Sequence, residues 1–447
     1  MDLLPQFGNL LYTIVAFVVA LSIIVAVHEY GHYIVGRWSG IKAEVFSLGF
    51  GPKLISRVDK HGTRWQIAAI PLGGYVKFLG DANAASAGAD DAEMAQLTPE
   101  ERRHTMHGAP LWARAATVVA GPVFNFILSI IIITGLSMWT GQATDTPDID
   151  AVVALPQGAG GLQHGDRIIA VNGIKTPDYA ALDQAGGDLP AGPDLTYTVE
   201  RDGQQQQVSG PQLVPARFDG IAPNSAAYDA GLAPGDVITA IDGTPVWRFS
   251  ALQEAVKTGK GAPIALSIWR PEAGGQGKQF NVTLVPRKTD LPGPAGGFET
   301  RFLIGATGSY MFTPVTMPVG PWQALKGGVQ STYGIIAQSI SGIKAMIEQQ
   351  ISSCNLSGAL RIAETSAAAA KSGPSSFIWF IAVLSTAVGF LNLFPIPVLD
   401  GGHLVFHAYE AVRGKPPSDR LMNLFMSVGL ALVATLMLFG LWNDLTC

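Results

Sequence analysis

The strongest constraint on this 447-residue chain is a set of four apolar segments, at about 9–31, 114–139, 374–396 and 421–443, each long enough to cross a bilayer. Hydrocarbon offers the backbone no water to bond with, so segments of this kind have to be helices. A mean hydropathy of +0.28 and a charged fraction of only 14% agree with an integral membrane protein, and the length implies more than one domain. The net charge of −5 is too slight to suggest a nucleic-acid partner. The first segment follows Asp2 without any Lys or Arg, which reads as a retained helix rather than a cleaved signal.

Basic residues set the expected orientation. Arg37, Lys42, Lys53, Arg57, Lys60, Arg64, Lys77, Arg102, Arg103 and Arg114 lie between or at the edges of the first two spans, and Arg413, Lys415 and Arg420 lie between the last two. Both connections are therefore expected on the cytoplasmic side, with both termini and the region from about 140 to 373 on the other.

At the end of the first span stands His28-Glu29-Tyr30-Gly31-His32. Residues four apart share a helix face, so both imidazoles can reach one metal ion while Glu29 stands beside them as a general base. The plain alternative, two histidines at a membrane interface, leaves a costly carboxylate at membrane depth with nothing bound to it. A catalytic zinc site normally takes a third protein ligand. Cys354 and Cys447 are too few for a cysteine-based site, and their pairing is left open by the sequence.

Asp400 is the candidate. It closes the stretch Asn392-Leu393-Phe394-Pro395-Ile396-Pro397-Val398-Leu399-Asp400-Gly401-Gly402, where two prolines break an apolar helix and two glycines permit a turn. The positive-inside orientation puts it at the membrane level of His28 and His32. Alone, Asp400 would read as a solvated helix-end carboxylate; its depth beside the histidine motif favours the ligand. Asn392, an amide in apolar company, is a candidate to hydrogen-bond a substrate backbone or a developing oxyanion. His403 and His407 read as structural, or as partners of the ligands.

After the histidine motif, residues 44–51 and 64–77 read as short strands broken by Gly and Pro, either an ordinary cytoplasmic hairpin or a sheet lining the site and offering an edge to substrate. Gly73, Gly74, Pro395 and Pro397 are accordingly nominated as substrate-binding positions. Residues 81–108, rich in Ala, Asp and Glu, read as a mobile loop. From 322 to 351, apolar residues recur every three or four positions, an amphipathic helix expected to lie on the outer membrane surface.

The central region repeats itself. Gly161-Leu162-Gln163-His164-Gly165-Asp166-Arg167-Ile168 returns as Gly231-Leu232-Ala233-Pro234-Gly235-Asp236-Val237-Ile238, continued by Val171-Asn172-Gly173 and Ile241-Asp242-Gly243. Both copies resemble bacterial-protease PDZ domains, at about 144–214 and 215–289. In the second, Pro223-Asn224-Ser225-Ala226-Ala227-Tyr228-Asp229-Ala230 suits the usual helix, whereas Leu155-Pro156-Gln157-Gly158-Ala159-Gly160 in the first leaves little room for it. Such domains either bind an added peptide strand or act as shaped obstacles.

The histidine motif, Pro71-Leu72-Gly73-Gly74-Tyr75, Gly121-Pro122-Val123-Phe124-Asn125, Ser357-Gly358-Ala359-Leu360-Arg361-Ile362-Ala363 and Asn392 through Gly402 occur in the order seen in the site-2 protease family of intramembrane zinc metalloproteases, which the chain resembles over nearly its whole length. The resemblance implies Zn2+ held by His28, His32 and Asp400, Glu29 as catalytic base, and Asn392 as a substrate-positioning residue. It also implies single-span membrane protein substrates already shortened outside, such as an anti-sigma factor, and remnant signal peptides, with no nucleic acid involved. The implied setting is the bacterial inner membrane, with the zinc site toward the cytoplasm and the PDZ-like domains in the periplasm. The expected architecture is a multi-pass α-helical membrane protein with four transmembrane helices, a membrane-associated β-rich insertion and two extracytoplasmic PDZ-like α+β domains. Its expected parts are 1–80, the loop 81–108, the second helix at 109–143, the PDZ-like pair, a linker and amphipathic helix at 290–373, and the last two helices at 374–447. Two other readings compete. A binding module would survive Glu29→Gln, and a metal transporter would need further polar residues along the spans, which are lacking.

Overall fold

The computed structural model describes residues 3–82, 90–223, 225–272, 277–293 and 298–446. The chain forms two compact units, one of Met1–Met138, Gly320–Lys344 and Ser353–Cys447, the other of Trp139–Val319 and Ala345–Ser352.

The first unit is built on helices α1 (Leu3–Trp38), α2 (Leu111–Thr140), α3 (Pro321–Ile347), α4 (Ala359–Lys371), α5 (Pro374–Asn392), α6 (Asp400–Arg413) and α7 (Asp419–Thr446). Among the described residues, four stretches are long and apolar enough to cross a membrane: Leu10–Trp38, Leu111–Thr140, Pro374–Asn392 and Arg420–Thr446. α1 does not end at the histidine motif but continues through it to Trp38, so His28 and His32 sit within a regular helix. A Cβ on Gly31 would lie 2.6 Å from the Ala120 carbonyl oxygen, so this small residue lets α1 and α2 cross closely. Deeper in the bundle, Ala20 and Ile24 of α1 are buried with Ile381 of α5.

Between α1 and α2 the expected broken strands are two continuous ones, β1 (Ala43–Val58) and β2 (Arg64–Phe78). They curl so that β1 residues 45–48 pair with 74–77 on one side and 64–67 on the other, and 55–58 pair with 64–67 again. Gly49, Gly51 and Gly73, at φ of 88°, 85° and 142°, occupy conformations that a side chain would resist, which is why glycines bend these strands rather than end them. The sheet is tied to α1 by Asp59, which accepts hydrogen bonds from Trp65 Nε1 at 3.0 Å and Tyr33 Oη at 3.3 Å. Phe46 stacks on Trp65 with centroids 4.3 Å apart.

The expected mobile loop departs from its composition. Residues 83–89 lie outside the described ones, but Asp91–Gln96 and Pro99–Arg102 are short helices, the latter opened by a capping box of Thr98 and Glu101. Asp81, Thr105 and Met106 are buried, so the segment packs against the bundle.

α3 spans Pro321–Ile347, slightly shorter than the expected 322–351. Gly328 packs against Thr134 and Ile130 of α2, while Trp322, Leu325, Val329, Tyr333, Ile340 and Ile347 are exposed, an apolar stripe facing away from the protein. Cys354 is disulfide-bonded; Cys447 lies outside the described residues.

In the second unit the sequence repeat becomes a structural one. Both copies contain a four-stranded antiparallel sheet in the same order, Ile174–Lys175, Arg167–Val171, Leu195–Arg201, Gln204–Gly210 in the first and Thr244–Pro245, Val237–Ile241, Ile264–Pro271, Gly277–Leu284 in the second. The same buried clamp recurs. Arg201 Nε and Nη2 bond Asp166 at 2.6 and 2.7 Å, with Nη2 reaching the Gly161 carbonyl at 2.8 Å. Arg270 repeats this on Asp236 at 2.6 and 2.7 Å and on the Gly231 carbonyl at 2.9 Å. Only the second copy has the short helix expected near 226, at Ala226–Asp229; Asn224 lies outside the described residues.

The expected linker after 290 is partly sheet. Ala306–Thr307 pairs with Gly220–Ile221, Phe312–Pro314 with Ile149–Val152, and Thr316–Met317 with Gln142–Ala143. One returning strand segment thus completes both copies, and Met311 and Phe312 enter the core of the first. Pairs this short carry no periodicity that a sequence can display.

Candidate metal centre and its cavity

The histidines occupy the face of α1 turned toward α2 and α6. Asp400 is the first residue of α6, reached by a loop that doubles back after α5. That turn explains the paired glycines: a Cβ on Gly401 would overlap the Phe394 carbonyl oxygen, and one on Gly402 would overlap that of Ile396. Pro397 packs instead against Gly429 of α7, whose added Cβ would lie 3.0 Å from the proline Cδ.

The result is a convergence of three donors. His28 Nε2 lies 3.2 Å from Asp400 Oδ2 and 3.2 Å from His32 Nε2, and His32 Nε2 lies 3.5 Å from Asp400 Oδ1. Glu29 is beside them, its carboxylate hydrogen-bonded by the backbone of Val76 in β2. Gly74 passes so close that an added Cβ would lie 3.1 Å from Glu29 Cγ. A cavity of about 340 Å³ opens on this group, lined also by Gly74, Tyr75, Val76, Asn392 and Leu399. Gly73, Pro395 and Pro397 do not line it. Among the described residues, the outer edge of β2 at 74–78 pairs with no further strand.

Farther along, the same cavity is lined by His107, His403, His407 and the Arg114–Glu410 pair. Burial, followed by the neighbouring Arg114, pushes His407 down to about 4, so it is neutral near pH 7. Burial lowers His403 too, while the hydrogen bonds from Arg114 hold Glu410 below the ordinary glutamate range.

The chain matches the model of Peptidase family M50 over residues 16–436. The chain belongs to peptidase family M50. A protein of Rhizobium meliloti (strain 1021) named as a zinc metalloprotease is 35% identical over 438 residues, covering 98% of this chain and 97% of that one. The regulator of sigma-E protease of Escherichia coli (strain K12) is 33% identical over 471 residues, covering 98% and 99%; its counterpart in Salmonella typhimurium (strain LT2) is also 33% identical, over 474 residues. As a member of family M50 the chain is a zinc metalloendopeptidase, and Zn2+ is its cofactor.

The donors described above suit that ion. His32 Nδ1 lies 2.8 Å from the Thr117 carbonyl oxygen, which can only accept, so the ring proton belongs on Nδ1 and the Nε2 lone pair faces His28 and Asp400. Asp400 Oδ2 is buried, facing His28 Nε2 at 3.2 Å. Two imidazole nitrogens and a carboxylate oxygen are a common donor set for catalytic zinc, and they suit an M50 chain. One ligand atom from each of His28, His32 and Asp400 falls within 4.8 Å of the others. Gly121 of α2 leaves the necessary room: its added Cβ would overlap His32 Nε2 and lie 2.8 Å from His28 Cε1.

Several partners of this centre were not evident in the sequence. Asn125, fully buried in α2, places Nδ2 3.1 Å from His28 Nδ1. It could have been suspected, since a buried amide in an apolar span needs a partner. The roles of the Thr117 carbonyl, His107 and Arg114 depend on tertiary contacts alone.

Proposed function

We propose that the chain is an intramembrane protease of the site-2 type, cutting single-span membrane proteins within or near their transmembrane segment after prior shortening on the outer side. The observation that carries this reading is the meeting of His28, His32 and Asp400 with Glu29 under the unpaired edge of β2. His28, His32 and Asp400 hold the metal. A bound zinc ion supplies Lewis acidity toward water and toward the scissile carbonyl.

Glu29 takes the proton of the attacking water and returns it to the leaving amine, its carboxylate fixed by the Val76 backbone. Asn392, on the cavity wall, hydrogen-bonds the substrate carbonyl. A substrate helix hides its peptide bonds in its own hydrogen bonds, so it has to be drawn out; the edge at 74–78 receives the extended strand, and Gly74 keeps the approach open.

The relatives named for sigma-E regulation support an anti-sigma factor as one substrate class; remnant signal peptides are a second class that the proposal includes. The setting is the bacterial inner membrane, with the metal centre toward the cytoplasm and the two PDZ-like domains in the periplasm. Basic residues between the spans favour this orientation, as does the disulfide at Cys354, since such bonds persist in oxidising compartments. The PDZ-like pair acts as a size filter against bulky outer domains.

The experiment is cleavage of a tagged single-span protein by the purified chain in detergent or proteoliposomes. Chelator should stop cleavage and added zinc restore it, whereas cleavage indifferent to chelator would defeat the proposal.

A further inference from the structure

Asn125 occupies a position fixed from several directions. Its backbone carbonyl oxygen lies 3.1 Å from Ser129 Oγ and 2.9 Å from Ser385 Oγ, which links α2 to α5. Gly389 of α5 packs so closely that an added Cβ would lie 3.0 Å from Asn125 Cβ. The main chain and Cβ of Asn125 are thus held against α5. The side-chain amide faces His28 Nδ1 at 3.1 Å through Nδ2, while its buried Oδ1 has no hydrogen-bond partner among the described residues.

The two ends of the His28 ring are coupled. A neutral imidazole carries one proton, so when Nδ1 accepts a hydrogen bond from Asn125 the proton is on Nε2, the atom that faces Asp400 and His32. Coordination through Nε2 requires the proton on Nδ1, and Nδ1 then becomes a donor. An amide nitrogen opposite that donor is a mismatch; an amide oxygen is a partner.

We infer that Asn125 is a positioning residue for the metal ligand His28, its amide oxygen accepting from Nδ1–H and so keeping the Nε2 lone pair turned toward the metal. His32 differs in having a backbone carbonyl at Nδ1, which fixes its tautomer permanently. This inference rests on the assignment of His28, His32 and Asp400 as zinc ligands.

The test compares zinc affinity of the purified full-length protein and its variants by competition with a chromogenic chelator, with thermal unfolding of each metal-free protein as control. Asn125→Leu and Asn125→Ala remove the acceptor and should weaken zinc binding about 10–100-fold, the range seen when an outer hydrogen-bond partner of a ligand is lost. Asn125→Asp keeps an acceptor in place and should hold zinc at least as tightly as the parent. A purely packing role predicts the opposite order, with the apolar isostere Leu tolerated and the buried carboxylate harmful.

Parent-like zinc affinity in Asn125→Leu, or equal zinc loss in folded Leu and Asp variants, overturns the inference. If Asn125→Asp does not fold, the Leu and Ala variants decide alone, parent-like affinity in both being the overturning result. Asp400→Ala is measured alongside. Full zinc binding in that variant would refute the site itself, whereas zinc loss there together with unchanged binding in Asn125→Leu would refute only the role of Asn125.

Discussion

Arg114 and Glu410 form a two-pronged ion pair, Nη1 to Oε2 at 2.9 Å and Nη2 to Oε1 at 2.6 Å, that joins α2 to α6. The first helix carries Gly121 and Asn125, and the second begins at Asp400, so the pair fixes the proposed ligand Asp400 relative to the residues that touch His28 and His32. Removing one partner strands a largely buried charge. Glu410→Gln or Arg114→Met should each destabilise the protein by about 3 kcal/mol. Arg114→Met combined with Glu410→Leu should recover much of that loss, a coupling that thermal unfolding in detergent can measure.

Gly121→Ala provides a test of sign. In a helix interior this change ordinarily stabilises by about 1 kcal/mol. Here the new methyl group falls on His32 Nε2, so the helix should persist by circular dichroism while bound zinc and cleavage are both lost. A fully active, zinc-loaded Gly121→Ala variant would contradict the close approach of α2 to the histidines.

Asp400→Ala and Glu29→Gln should separate binding from turnover. The first removes a proposed ligand and should lower zinc content along with activity. The second keeps the side-chain shape but cannot take the water proton, so zinc should stay while cleavage falls by at least about 100-fold. Metal analysis beside a cleavage assay distinguishes them, and parent-level cleavage by the Glu29→Gln variant would remove Glu29 from the mechanism.

Asp444, near the end of α7, caps the start of α4, accepting from the backbone N–H of Gly358 at 2.8 Å, Leu360 at 3.1 Å and Arg361 at 3.2 Å. Asp444→Ala should cost about 1–2 kcal/mol, the usual loss when a helix cap is removed. Limited proteolysis should find its effect at residues near 358, remote in sequence from the substitution.

The size-filter proposal predicts that an enzyme lacking the PDZ-like pair cuts substrates that still carry a folded outer domain. The deletion has to run from about 144 to 319 rather than stop at 289, because Ala306–Thr307 and Phe312–Pro314 pair with strands inside the pair. If this form retains zinc yet no longer cuts the shortened substrate, the pair is a receptor and not a filter.

What the sequence revealed follows from the range of the signals. His28, Glu29 and His32 are one helical turn apart, and the prolines and glycines before and after Asp400 mark a local reversal, so neither needed the fold to be noticed. The central repeat was legible because its Gly and Asp residues build a turn twice, and Asp166 and Asp236 prove to anchor the same arginine clamp. Average composition misled at 81–108, where acidic and small residues hide the buried Asp81 and Thr105. Proximity in sequence misled for Pro395 and Pro397, which shape the loop and stand off the cavity wall.

The returning segment between 306 and 317 also bears on how the chain is made. Ile149–Val152 finds its partner Phe312–Pro314 only after some 160 further residues, including the whole second copy, have been synthesised. The first copy therefore cannot close while it emerges, and both copies should become resistant to protease together, just before α3 follows. A chain stalled ahead of residue 306 would expose open edges on each copy, leaving a species prone to pair with its neighbours.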